Sequence, residues 1–166
     1  MDKSMRMVQV SGLVACIAYA VVGALQILVW NPLAAVPSSS LPDTYRSVEA
    51  ARESMGVGTV IIWAVVGIAL AAAVAGAAQL RRIRLHRSLA ALYLTVLALG
   101  APSHFFASVP AGMGLADTFM ISGGAYSPWG MMLYLISVAA FLALMLLGPV
   151  DAMLWRLRAA PPQRNP

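Results

Sequence analysis

His104 is the residue of this chain whose type and position point most directly to chemistry. It lies well inside an apolar segment, where a titratable side chain is costly and usually has a partner. Pro102, two positions earlier, has no backbone N–H and so frees a carbonyl one turn earlier for another hydrogen bond. Asp117, Tyr126 and Trp129 belong to the following loop and helix start. We expect these three residues to converge with His104 on an outward-facing ligand pocket.

The sequence leaves two interpretations of His104 open. In the first, it binds a lipid, a quinone or another small apolar molecule from the outer leaflet, and the protein acts in binding, transport or an enzymatic reaction. In the second, it is a neutral structural residue at the membrane interface that is hydrogen-bonded to a backbone carbonyl. Ser103 and Ser108 lie nearby, but neither belongs to a nucleophile-elbow motif, which disfavours hydrolysis.

The spacing of potential ligands disfavours metal and redox centres. The other histidine, His86, falls at the opposite end of the apolar segment, so the two histidines cannot share a metal. Cys16 is the single cysteine, which excludes an intrachain disulfide and a cysteine-pair redox centre. We predict no metal and no cofactor, and we favour a protein that is not an enzyme.

Four long apolar segments must position these residues. They cover residues 8–30, 55–80, 88–109 and 128–150, and a helix needs about 20 residues to cross about 30 Å of hydrocarbon. The chain is 61% hydrophobic and 10% charged, far from the usage of soluble proteins. We predict an all-α integral membrane protein with one four-transmembrane-helix bundle over residues 1–158, followed by a disordered cytoplasmic tail over residues 159–166.

The positive charges predict the orientation of this bundle. Nine of the eleven lysines and arginines lie before the first segment, between the second and third, or after the fourth. The positive-inside rule therefore places both termini in the cytoplasm and two loops outside the cell membrane. A net charge of +5 that is confined to segment ends does not indicate nucleic-acid binding. The preference for arginine over lysine suggests a bacterial source. Four clustered arginines are candidates for binding anionic lipid headgroups, namely Arg81, Arg82, Arg84 and Arg87.

Both outer loops have predicted features of their own. The first helix should end near Trp30, because a proline follows at position 32. In the first loop, a short helix should begin at a capping Asp43 and continue to Ser54. The second loop, residues 110–127, should lie back on the bundle, and Ser127 should cap the fourth helix.

Small residues at four-residue intervals mark candidate packing surfaces on two segments. Close backbone contact at such positions allows helices to associate in lipid, where the hydrophobic effect does not drive them together. Alanine-rich composition alone also produces such patterns. The sequence does not decide whether these surfaces join helices of this chain or bind another protein. They consist of Gly12, Cys16, Ala20 and Ala24 in the first segment and Gly67, Ala71 and Ala75 in the second.

Two functions from different classes follow. The favoured one is an accessory or interaction subunit that contacts the lipid bilayer and either a membrane-protein partner or further copies of itself, because polar groups are scarce. The alternative is the binding protein with a pocket near His104. The spans lack a central carboxylate, which disfavours a proton-coupled exporter.

Overall fold

The computed structural model describes residues 3–80, 82–83 and 85–159, with side chains described as far as residue 147. Over these residues the secondary structure is entirely helical. Residues 160–166 of the predicted tail lie outside the described residues, and Ala159 ends the last helix. The elements are α1 (Lys3–Leu25), a π-helical turn (Gln26–Trp30), α2 (Asn31–Ala35), α3 (Leu41–Ala50), α4 (Val57–Gln79), α5 (His86–Ala98), α6 (Gly100–Phe119) and α7 (Trp129–Ala159).

Four helical segments are long and apolar enough to cross a membrane. They are Lys3–Ala35, Val57–Gln79, His86–Phe119 and Trp129–Leu147. This confirms the prediction of an all-helical chain with four potential spans. Two of these segments are much longer than predicted, and both extensions pass through a proline.

The first long helix does not end near Trp30, so that prediction is wrong. The chain widens into the π-helical turn and continues as α2, in whose first turn Pro32 is accommodated. In a regular helix, the N–H of residue 32 would bond to the carbonyl of Leu28, and proline has no N–H to donate. The hydroxyl of Tyr45 in α3 donates to this carbonyl instead, at 2.9 Å.

The prediction of a loop over residues 110–127 is also wrong over its first half, which is helical. After a short break at Leu99, α6 continues through Pro110 and ends at Phe119. Gly56 has a φ of +58°, and a Cβ there would lie 2.6 Å from the Cβ of Pro110. A glycine is therefore needed where the start of α4 approaches this proline. The connection to α7 is reduced to residues 120–128.

Helix α3 begins earlier than predicted and has a different cap. Ser40 is the N-cap, and its Oγ accepts a hydrogen bond from the backbone N–H of Asp43 at 3.3 Å. Asp43 lies in the first turn and forms an ion pair with Arg46 at 3.3 Å. The buried face of the helix carries Thr44 and Val48.

Helix α1 is central to the bundle. It packs most extensively on α4 and α5, and α5 in turn packs on α7. One buried cluster includes Cys16, Ala71, Leu89 and Tyr93. A second cluster fixes α3 to the end of the bundle, and it consists of Ile27, Val48, Met55, Val60, Ala107, Ala111 and Leu115.

Candidate functional site

His104 is buried within the bundle and hydrogen-bonded to a side chain of another helix. It is 2% exposed, and its Nε2 lies 3.0 Å from Oε1 of Gln26. The rings of Trp63 and Tyr134 approach it edge-on, with centroid distances of 5.5 and 5.8 Å. Its other ring nitrogen, Nδ1, is buried without a hydrogen-bond partner. The partner of His104 is thus a side-chain amide and not the backbone carbonyl considered above.

The π-helical turn places two amide side chains at this end of the bundle. Gln26 begins the turn and Asn31 follows it, and both are buried. In a regular α-helix, residues five apart point about 140° away from each other, at 3.6 residues per turn. A turn closed by i→i+5 hydrogen bonds is wider and brings such residues closer to the same side of the helix, and the N–H of Asn31 does bond to the carbonyl of Gln26. Both amides therefore face the interior.

Asn31 holds the connection between α6 and α7. Its Oδ1 accepts hydrogen bonds from the backbone N–H of Tyr126 at 2.7 Å and of Ser127 at 3.3 Å. Next to it, the rings of Trp30 and Trp129 pack at a centroid distance of 5.3 Å. The segment before α7 is thus fixed to the π-helical turn.

A cavity of about 230 Å³ lies between these elements. Its polar lining consists of Gln26, Asn31, His104, Ser108 and Tyr134. The remaining lining residues are apolar side chains or glycines. None of the lining residues is charged. We call it the His104 cavity.

Glycines allow the backbone to close around the His104 cavity. A Cβ on Gly112 would lie 2.8 Å from the carbonyl oxygen of Gly123, and one on Gly130 would lie 3.2 Å from Nε2 of Gln26. Both positions are tighter than ordinary side-chain contacts. Larger residues there would move the α6–α7 connection or Gln26 itself.

Of the four residues predicted to form the pocket, His104 is the one that lines this cavity. Asp117 is exposed on α6, and thirteen residues of helix place it about 20 Å along the axis from His104. Tyr126 lines a neighbouring cavity of about 370 Å³ that shares Ala125 and Tyr134 with the first. Trp129 is half exposed beside Trp30. The expected convergence fails because residues 110–119 stay helical and do not fold back.

The small residues predicted as packing surfaces lie at contacts within the chain. A Cβ on Gly12 would fall 2.3 Å from Cδ2 of Tyr93 in α5, and the Sγ of Cys16 approaches the carbonyl of Tyr93 at 4.0 Å. Ala20 meets Gly67 of α4. Ala24 packs on the Ile27 cluster, and Ala71 and Ala75 are buried in α4.

Of the arginine cluster, Arg82 and Arg87 are exposed, and Arg81 and Arg84 lie outside the described residues. Within the part of the chain that the structure describes, no group of three or more His, Cys, Asp or Glu side chains is positioned to hold a metal ion.

Comparisons of this chain with protein-family models, with curated proteins and with solved structures found no match.

Proposed function

We propose that this chain is an integral membrane protein that binds a small, uncharged, amphipathic molecule in the His104 cavity. The observation that carries the proposal is the cavity itself, which measures about 230 Å³ and brings the buried polar residues Gln26, Asn31 and His104 together within an otherwise apolar bundle. Polar groups at this depth are costly and usually mark a functional site.

The lining of the cavity indicates the class of ligand. Amide and hydroxyl groups occur together with Ile27, Phe105 and several glycines, the combination expected of a site that orients a mostly apolar molecule through a few polar contacts. The absence of a charged lining residue favours a neutral ligand. A quinone-like ring, a lipid with a small headgroup and a small apolar alcohol all meet these requirements.

The proposal is tested by identifying small molecules that remain with the protein after extraction in mild detergent. We expect mass spectrometry to find a molecule bound to the wild type and depleted at least several-fold in His104→Phe, which keeps an aromatic ring of similar size. His86→Phe is the matched control, because it makes the same change at an exposed histidine. Asp117→Asn is a second control outside the cavity. Equal retention by all four proteins would refute the proposal.

The accessory-subunit role stays a prediction, and it predicts a different result for the protein extracted in mild detergent. The small-residue surfaces that motivated it pack inside the chain, so a protein partner would have to contact large lipid-facing residues or the α3 end of the bundle. Stoichiometric recovery of one partner protein, or a stable homo-oligomer, would support that role. A monodisperse monomer carrying a small molecule would support the binding role.

We further propose a bacterial inner membrane as the location, with both termini in the cytoplasm. Nine of eleven positive charges predicted on one side support this orientation, and the exposed Arg82 agrees with contact to anionic headgroups on that side. Fusions of a compartment-sensitive reporter at residue 85 and after residue 166 should both report the cytoplasm. Reports from opposite compartments would refute it.

A further inference from the structure

The His104 cavity adjoins a groove at the start of α7. This groove is the cavity of about 370 Å³ to which Tyr126 contributes, and we call it the α7 groove. Ala125 and Tyr134 line both spaces. Building on the proposed function, we infer that a ligand enters and leaves the His104 cavity through the α7 groove, and that the ring of Tyr134 is the gate between the two. The other residues that line the groove are Ser127, Pro128 and Met131.

The two spaces differ in how deeply they are buried. The polar residues Gln26, Asn31 and His104 of the His104 cavity are all buried. Most residues that line the α7 groove are exposed, and Met131 is 69% exposed. Met131 and Tyr134 also belong to the segment Trp129–Leu147, which is long and apolar enough to cross a membrane. The groove therefore lies on the outer surface of the bundle, where a molecule dissolved in the bilayer can reach it.

Tyr134 has the position and the freedom that a gate requires. Its ring is half-buried and packs edge-on against His104, at a centroid distance of 5.8 Å. Its hydroxyl makes no hydrogen bond to the described part of the chain and is not buried. The hydroxyls of Tyr19 and Tyr45, in contrast, are hydrogen-bonded to neighbouring helices. A change of the Tyr134 rotamer therefore breaks no hydrogen bond of this side chain.

The connection between α6 and α7 closes another side of the His104 cavity. It lies so close to α6 that a Cβ on Gly112 would be 2.8 Å from the carbonyl oxygen of Gly123. Asn31 holds the same connection through two backbone N–H groups just before α7. Displacing the connection would break both of these hydrogen bonds, whereas turning the Tyr134 ring breaks none. The route past Tyr134 is therefore the less costly one.

Two adjacent methionines of α7 provide a matched test of this route. Met131 lines the α7 groove, whereas Met132 lines neither space. The two side chains are 69% and 54% exposed. Met131→Trp places a larger side chain in the groove and changes no residue that lines the His104 cavity. Met132→Trp makes the same substitution outside the groove and is the control.

The probe is 2-naphthol, an uncharged two-ring molecule with one polar group. A cavity of roughly 150 Å³ is enough to hold benzene, and the His104 cavity measures about 230 Å³, so 2-naphthol is of suitable size. The full-length chain in lipid nanodiscs is loaded with the probe and mixed rapidly with an excess of empty vesicles. Release is followed by the fluorescence of the probe itself, and release from nanodiscs without protein is subtracted.

We expect Met131→Trp to slow release by at least about fivefold and Tyr134→Ala to accelerate it by a similar factor, because a gate sets the rate at which a site exchanges its ligand. The equilibrium affinity of Met131→Trp for 2-naphthol should stay within about twofold of the wild type, because a higher barrier on the route slows association and dissociation equally. Met132→Trp should release the probe at the rate of the wild type.

Equal release rates of Met131→Trp and Met132→Trp would overturn the inferred route and leave the binding site standing. Slower release from Met131→Trp with an equally higher affinity would mean that the tryptophan contacts the bound probe, which also overturns the route. An unchanged rate in Tyr134→Ala would overturn the gate. Absence of a protein-dependent release phase in the wild type would remove the proposed site together with its entrance. If Tyr134→Ala does not fold, the two methionine variants decide the question, because both side chains lie at the surface.

Discussion

Substitution of Asn31 should be among the most destabilising changes in the chain, although Asn31 is not one of the four residues predicted to form the pocket. We consider the substitution Asn31→Leu, which keeps a side chain of similar size and removes the acceptor. Its Oδ1 is the acceptor for the backbone N–H groups of Tyr126 and Ser127. Ser127 is 4% exposed and Asn31 is 7% exposed, so water has little access to replace the lost oxygen.

The expected loss follows from the two donors. A buried donor left without a partner costs roughly 1–3 kcal/mol, and the N–H of Tyr126, whose side chain is partly exposed, should lie at the low end of this range. We therefore expect Asn31→Leu to lower the free energy of unfolding by about 2–4 kcal/mol. Asn31→Asp keeps an oxygen acceptor near the N-terminus of α7, where negative charge is favourable, and should lose less than half as much.

The assay is unfolding by sodium dodecyl sulfate in mixed micelles, combined with hydrogen exchange of the segment before α7. Asn31→Leu should lower the unfolding midpoint and should increase exchange at the amides of Tyr126 and Ser127 before the rest of the bundle is affected. A loss below about 0.5 kcal/mol, which is typical of a neutral surface substitution, would refute the reasoning. Unchanged exchange at these two amides would refute it as well.

Two further predictions use the same unfolding assay. Gly12→Ala should lower the free energy of unfolding by about 1–3 kcal/mol, because its Cβ would lie 2.3 Å from a ring atom of Tyr93. Gly76→Ala is the control: nothing lies within 4 Å of its Cβ, so it should be neutral or stabilising by up to about 1 kcal/mol. Equal effects of the two substitutions would contradict the contact between α1 and α5. Tyr45→Phe should cost about 1 kcal/mol through the hydrogen bond to Leu28. Burial raises the pKa of Tyr45 above its usual 10.0. This stabilisation is therefore present below about pH 10 and is lost as the pH rises further. If the stability of the wild type and of Tyr45→Phe changes identically above pH 10, the prediction is contradicted.

The number of potential membrane spans was predictable because it depends on the length of apolar segments, whereas the ends of these spans were not. Trp30 and Pro32 carry the usual signals of a helix end. The helix continues because Tyr45, thirteen residues beyond the proline, supplies a donor to the carbonyl of Leu28. Pro110 is likewise accommodated by a glycine at position 56. Both compensations come from distant residues, and local patterns do not report them.

Of the four residues predicted to form the candidate site, one, His104, lines the cavity. His104 is conspicuous in sequence because it is polar at membrane depth. Gln26 and Asn31 are spaced by five, which in a regular helix would send them to different faces. Their common orientation depends on the π-helical turn, which gave no signal in the sequence. The prediction of Asp117 failed because it assumed that the chain folds back after residue 109.

The π-helical turn holds two parts of the site in place, the ring of His104 and the segment before α7. Gln26 at its start fixes the ring of His104, and Asn31 just after its end fixes the segment before α7. Gly130, in the first turn of α7, closes the cavity against the Gln26 amide. The walls of the His104 cavity are therefore elements that the same turn holds in place. A substitution that loosens this turn should disturb both the contact to His104 and the segment before α7.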